Sequence, residues 1–254
     1  MTRKLSLALT ILLMLCPSAN AGLVSFTNIF QSGQGPGDPP APYGPPSISD
    51  NSLSFASPAA FSATSVNGVF DVENSFTDGL LTFSVEADDD TWITGMSISE
   101  RGARNLFELV LSSGTATTRV QVISLAEITV TELDHGNTPL TALAMVPIPI
   151  GFNITWDLIN NPGVAIWTGL DAQDIETILI NRGVVFDLGA TAFDFIMNNQ
   201  LFAISEVDTF AFIDKKRIDI DVETEMIPEP TTALLAIFVL LGTSLGRGIK
   251  LEQF

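Results

Sequence analysis

The sequence predicts an all-β body, an antiparallel β-sandwich or jelly-roll-like domain with one short helix, between an N-terminal signal peptide and a C-terminal transmembrane helix. Three observations predict it. Apolar residues alternate with polar ones over many short runs, turn-forming residues separate those runs, and each end of the chain carries an uninterrupted apolar segment.

The chain has 254 residues and a formal net charge of −18. Its first 21 residues read as an export signal. Arg3 and Lys4 precede the apolar run 5–16, Pro17 breaks it, and Ala19-Asn20-Ala21 is the small-x-small pattern that signal peptidase cleaves. Cys16, the only cysteine, falls inside this segment, so the exported body holds no thiol. Thiol catalysis, iron–sulfur clusters and cysteine zinc sites are thereby excluded.

Residues 22–52 form a Pro/Gly-rich N-terminal segment. Its stretch 33–46 (GQGPGDPPAPYGPP) includes the only tyrosine, Tyr43, and reads as an extended linker or irregular loop. The sandwich is expected over 53–226. Leu81, Phe83 and Val85 alternate with polar residues, as do Val120 and Val122, Ile128 and Val130, Phe152, Ile154, Trp156 and Leu158, and Ile218, Ile220 and Val222, while Trp92, Thr94, Met96 and Ile98 alternate with Ile93, Gly95, Ser97 and Ser99. Asp78-Gly79, Asp88-Asp89-Asp90, Ser113-Gly114, His135-Gly136-Asn137, Asn160-Asn161-Pro162-Gly163 and Asn198-Asn199 are expected as turns. Such strands bury one face, and two sheets stacked on those faces make a sandwich. In the segment 170–183, Ile175, Ile178 and Leu179 fall at helical spacing. Asp171 is the expected N-cap and Gly183 the expected stop, and the helix is placed over an open end of the sandwich.

The C-terminal segment 227–254 begins Ile227-Pro228-Glu229-Pro230, continues as the apolar run 231–246, and then reaches Arg247 and Lys250. Sixteen helical residues span about 24 Å, short of a hydrocarbon core of about 30 Å. The basic flank places the tip on the cytoplasmic side and the body outside. Pro-Glu-Pro, an apolar span and a basic tip, in that order and at the C-terminus, resemble the PEP-CTERM sorting signal of exported bacterial proteins. The resemblance implies handling by an exosortase-type membrane enzyme, processing near Pro228-Glu229-Pro230, and delivery to the cell surface or extracellular matrix beside extracellular polysaccharide. The segments 77–87, 93–102 and 201–216 resemble the β-rich body of many proteins of that family, which carries no catalytic residues with it.

Seven of the 11 basic and 27 of the 29 acidic residues lie between the two end segments, so the body carries −20. Nucleic acid is excluded as a partner. His135 is the only histidine and has no Gly-x-Ser-x-Gly elbow beside it, so it reads as a turn residue. Asp88, Asp89 and Asp90 are the candidate Ca²⁺ donors, although they lack EF-hand spacing. Glu100, Glu108, Glu127, Glu132 and Glu176 are the carboxylates from which a hydrolase could draw a pair. Trp92 and Trp156 read as core; Trp167 is the candidate exposed ring for stacking on sugar. Lys215-Lys216-Arg217 reads as a solvated turn or a guard on an edge strand. No cofactor is expected. The favoured function is a non-enzymatic structural or adhesive surface protein; a calcium- or carbohydrate-binding lectin-like module and a secreted hydrolase are the alternatives.

Overall fold

The structure, a computed structural model, describes residues 23–32, 42–56, 61–69, 75–109 and 117–226. The signal-peptide residues Ala19 and Ala21, the motif Pro228-Glu229-Pro230, the span 231–246 and its flank Arg247 and Lys250 lie outside them. Among the described residues no helix is long and apolar enough to cross a membrane.

Eleven strands follow in chain order: β1 (Val24–Gln31), β2 (Pro46–Ser49), β3 (Ser52–Ala56), β4 (Ser62–Val66), β5 (Phe76–Ala87), β6 (Thr91–Glu108), β7 (Arg119–Leu133), β8 (Ile148–Asp157), β9 (Gly163–Asp174), β10 (Ala190–Ile204) and β11 (Thr209–Met226). A 3₁₀ turn covers Asp134–Gly136, and one helix, α1, covers Ile175–Asn181. The strands form two antiparallel layers. The first runs β1-β5-β10-β7-β8. The second runs β9-β6-β11, with β3 and β4 side by side on β11 and β2 outside β3. The Ala190–Ile93 bridge joins the layers into one hydrogen-bonded path.

Alternation explains the burial of the first layer. Leu81, Phe83 and Val85 of β5, Phe193, Phe195 and Met197 of β10, and Val120, Val122, Ile128 and Val130 of β7 all point inward and are buried. Their polar neighbours face out, the pattern of a sheet wetted on one side. Phe26, Phe83 and Phe195 form a run of ring contacts across three strands, with centroids 5.8 and 4.6 Å apart. The segment 22–52, expected to lead into the sandwich, supplies two of its strands, β1 and β2. Val24 and Phe26 carry β1 into the core.

Two strands of the second layer change the parity of their inward residues. In β6 the switch falls between Gly95 and Met96, so Ile93 is buried while Trp92 is only half-buried. In β11 Ile213, Asp214 and Lys215 are buried in succession, and Ile218, Ile220 and Val222 then continue on the other parity. The Asp214 side chain there accepts the Ala103 N–H at 2.8 Å, and its carbonyl accepts the Trp167 indole N–H at 3.0 Å. Lys215 keeps the inward parity of Thr209, Ala211 and Ile213, and the irregularity shifts the residues after it, so that Ile218, Ile220 and Val222 face inward on even positions. Gly102 is required at this crossing, because a Cβ there would stand 1.9 Å from the Asp214 carbonyl oxygen.

Two dipeptides expected as turns are strand interiors, and they lie opposite each other. Asn198-Asn199 sits in mid-β10 and pairs with Leu80 and Gly79 of β5, while Gln200 pairs with Asp78. Gly79 leaves room for rings, since a Cβ would lie 2.7 Å from Phe61 and 3.2 Å from Tyr43. Tyr43, expected in a linker, is fully buried. Its hydroxyl donates to the Gly79 carbonyl at 2.7 Å, and its ring meets those of Phe55 and Phe61.

The helix is shorter than expected. Residues 170–174 finish β9 against Ser99 to Gly95, so Asp174 rather than Asp171 caps α1, accepting the Thr177 N–H at 2.7 Å. Gly183, at φ +75°, ends it in a Schellman arrangement: Val184 N–H donates to Leu179 O and Gly183 N–H to Ile180 O. Ile175 and Leu179 are buried, and α1 packs beside β6. Asp171 instead accepts the Gly151 N–H at 2.7 Å, which ties the edge strand β8 to the edge strand β9.

Candidate functional site

The outward side chains of the first layer fall in cross-strand rows. One row runs Leu80 (β5), Asn198 (β10), Leu125 (β7), Gly151 (β8); the next runs Phe30 (β1), Thr82 (β5), Ile196 (β10), Glu127 (β7), Pro149 (β8). A shallow groove of about 670 Å³ lies along these rows, with Leu80, Leu125 and Ile196 as its apolar floor and Glu127, Asn198 and Asp171 as its polar contacts. Leu125 is 61% exposed and Ile196 45%, unusual for aliphatic side chains set side by side on a sheet. On the same face, Phe76 and Phe202 lie ring to ring at 4.7 Å. Gln121 bonds Asn153 at 2.8 Å, and Ser84 bonds Asp194 at 2.7 Å.

A second polar site lies inside. Lys215 and Glu100 have fully buried side chains and pair at 2.5 Å. The Glu100 carboxylate also accepts Ser124 Oγ at 3.2 Å and the Asn199 side-chain amide. Lys215 Nζ stands 5.0 Å from the Phe61 ring centroid and 6.0 Å from that of Trp167. Burial pulls the Lys215 ammonium down to about 8, against the opposing pull of Glu100. Burial first, and then the Glu100 charge, push the Tyr43 phenol well above its ordinary value, so it remains a hydrogen-bond donor.

The residues singled out by sequence do not assemble into one centre. Lys215-Lys216-Arg217 is not a turn but lies within β11: Lys215 is the buried cation, Lys216 pairs with Asp214, and Arg217 pairs with Asp219. Lys215 faces inward because it continues the odd-numbered face of Ala211 and Ile213. Trp167, the candidate exposed ring, is 3% exposed and packs on Trp156 at 6.1 Å. The outward positions of β9 belong instead to Val164, Ile166 and Leu170. Asp88, Asp89 and Asp90 form the β5–β6 turn, closed by Thr91 N–H to Asp88 O at 2.9 Å. Among the described residues no group of three or more His, Cys, Asp or Glu side chains is placed to hold a metal ion. Of the five candidate glutamates, Glu100 is sealed in the core, Glu127 lines the groove, and Glu132 accepts Thr191 Oγ1 at 3.0 Å. Glu108 ends β6, and Glu176 lies in the first turn of α1. His135 takes the turn predicted for it, with its ring Nε2 3.0 Å from the Thr91 carbonyl oxygen.

The neighbouring Asp134 was not singled out. It is 2% exposed, and its carboxylate accepts the backbone N–H groups of Asp187 (2.9 Å), Leu188 (2.7 Å) and Gly189 (2.9 Å). Burial alone would raise its pKa. The Thr138 side chain and the three N–H groups outweigh that and hold it below the usual carboxylate range. A depressed carboxylate stabilises the fold above its unfolded value of about 3.9, and the stabilisation is lost as pH falls through the folded value. Asp134→Asn is therefore expected to lower the melting temperature by a constant amount at neutral pH. The gap to the parent should narrow below about pH 4, as the parent's carboxylate protonates. Thermal melts of both proteins across that range read the difference; a gap that persists at the acid end contradicts it.

No protein-family model and no curated protein matches the chain. Among solved structures, TmCBM61 in complex with β-1,4-galactotriose aligns at 8% identity over 80% of this chain and 87% of its own, with a TM-score of 0.18. The N-terminal cellulose-binding domain of Cellulomonas fimi β-1,4-glucanase C aligns at 10% identity over 79% and 90%, with a TM-score of 0.21. A carbohydrate-binding module of the β-sandwich superfamily aligns at 10% identity over 82% and 61%, with a TM-score of 0.20. Likeness at TM-scores this low decides neither fold nor ligand.

Proposed function

We propose that this chain is an exported, non-enzymatic surface protein whose five-stranded layer binds a neutral extracellular polysaccharide. One observation supports this above the others: a groove of about 670 Å³ in which half-buried Leu80 and exposed Leu125 and Ile196 lie beside Asn198 and Glu127. A sugar ring has an apolar C–H face and a polar rim. Aliphatic side chains on the floor shield that face from water at roughly 25 cal/mol per Å², while the amide and carboxylate meet the hydroxyls. The groove runs across β5, β10, β7 and β8, three strand spacings or roughly 14 Å, room for a short run of sugar rings. The body's charge of −20 repels anionic polymers, which favours a neutral one. Delivery to the surface belongs to the end segments: export by the leader, retention by residues 231–246, and exosortase-type processing near Pro228-Glu229-Pro230.

Binding is tested by affinity electrophoresis against a panel of neutral and anionic polysaccharides. The parent should bind at least one neutral polymer, and Leu125→Asp with Ile196→Asp should weaken it by about tenfold or more, equivalent to about 1.4 kcal/mol. No neutral ligand, or equal binding by the variant, overturns the proposal. Sorting is tested separately in the producing cell. Replacement of Pro228, Glu229 and Pro230 by alanine should leave unprocessed chain in the membrane fraction, and unchanged release contradicts the sorting role.

A further inference from the structure

We propose that Lys215 and Asn199 form an intramolecular amide cross-link, with Glu100 carrying the protons, so that β10 of one layer is joined covalently to β11 of the other. The juxtaposition is specific. Glu100 Oε2 holds Lys215 Nζ at 2.5 Å, and Glu100 Oε1 accepts the side-chain amide of Asn199. One carboxylate therefore bridges a primary amine and a carboxamide. All three side chains are sealed from water: Lys215 and Glu100 are 1% exposed and Asn199 0%. The aromatic faces of Phe61 and Trp167 close over the amine.

Asn199 Oδ1 is buried without a hydrogen-bond partner, one of two such side-chain atoms among the described residues. An orphaned buried carbonyl is costly in a purely structural network. A half-turn of the amide exchanges its N and O and places Oδ1 on Glu100, where a protonated carboxyl polarises it for attack. The desolvated amine is also easier to deprotonate than an exposed lysine, which raises the share of the nucleophilic form.

The chemistry balances without any co-reactant. Glu100 takes one proton from the Lys215 ammonium, and the freed lone pair attacks Cγ of Asn199. A second amine proton passes to Nδ2 as the Cγ–Nδ2 bond breaks. Ammonia leaves with the proton held by Glu100, as ammonium, and Glu100 returns to a carboxylate. The product is a secondary amide between Nζ and Cγ, whose remaining N–H faces Glu100. The excluded water that favours condensation also protects the amide from hydrolysis. An exported body with no cysteine, its sole Cys16 lying in the leader, would gain in this way a covalent staple of the kind disulfides supply elsewhere.

The full chain is purified folded, digested and mapped by mass spectrometry. The expected result is a branched species linking the peptides that contain residues 199 and 215, lighter than their sum by one ammonia. Linear, unmodified peptides from folded protein held at mildly alkaline pH overturn the proposal, as does a species lighter by one water with the link at Glu100. Asn199→Ala and Lys215→Arg should abolish the species. Glu100→Gln, shown folded by circular dichroism, should leave the peptides linear; a cross-link in that variant overturns the proton-carrying role. If Glu100→Gln does not fold, parent chain denatured as it is made and then refolded gives the same test. The ammonia loss should be absent before refolding and present after it, and a link already present in the unfolded chain contradicts a reaction built by the fold.

Discussion

The rest of the structure is arranged around the burial of one charged pair. Glu100 and Lys215 come from neighbouring strands of one layer, while Ser124 and Asn199, which complete the carboxylate's hydrogen bonds, come from the other. Taking two charges out of water costs several kcal/mol each, and the mutual attraction offsets it only when geometry and satisfaction are good. The sequence spends several positions on that geometry. Lys215 continues the inward face of Ala211 and Ile213, Gly102 lets β6 approach the Asp214 carbonyl, and Gly79 admits the Phe61 and Tyr43 rings that wall the site. Among the described residues the two layers share one strand bridge, at Ala190–Ile93, and an edge tie from Asp171 to Gly151; the charged cluster adds a polar contact at mid-core.

The inner and outer faces of the first layer divide the work. Odd-numbered residues of β10 build the core: Phe193, Phe195, Met197, and Asn199 where the ion pair needs an amide. Even-numbered residues of the same strand, Ile196 and Asn198, sit in the groove on the outside. One residue of register slip would exchange the two sets. The inward amide of Asn199 and the edge ties of Asp171 and Asp134 therefore also hold the groove's residues in place. Exposed aliphatic side chains also line the outward positions of β9, at Val164, Ile166 and Leu170.

Strand content and parity were legible wherever a strand is regular, as in Leu81–Val85, Val120–Val122, Ile128–Val130 and Ile218–Val222. Reading failed where a tertiary partner overrides a local signal. Asn198-Asn199 and Asp78-Gly79 carry turn chemistry, yet Asn199 serves a buried carboxylate and Gly79 makes room for rings, neither of which a local window can reveal. Trp167 points inward because the apolar Val164 and Ile166 take the outward parity of β9, the reverse of what their side chains suggest. The three-residue basic run concealed a buried lysine because Lys215 continues an inward face whose charge partner, Glu100, lies 115 residues away in sequence. No single motif marks the groove. Its floor is three aliphatic residues far apart in sequence, adjacent only because β5, β10 and β7 pair in that register.

If the charged cluster is what holds the layers together, the backbone around it should be the last part of the body to open. Native-state hydrogen exchange on the folded protein measures this directly. The slowest-exchanging amides should flank Glu100 in β6, Asn199 in β10 and Lys215 in β11, and should exchange only with global unfolding. Slowest exchange confined to β5 and β7, with the amides around Lys215 opening earlier, would contradict it.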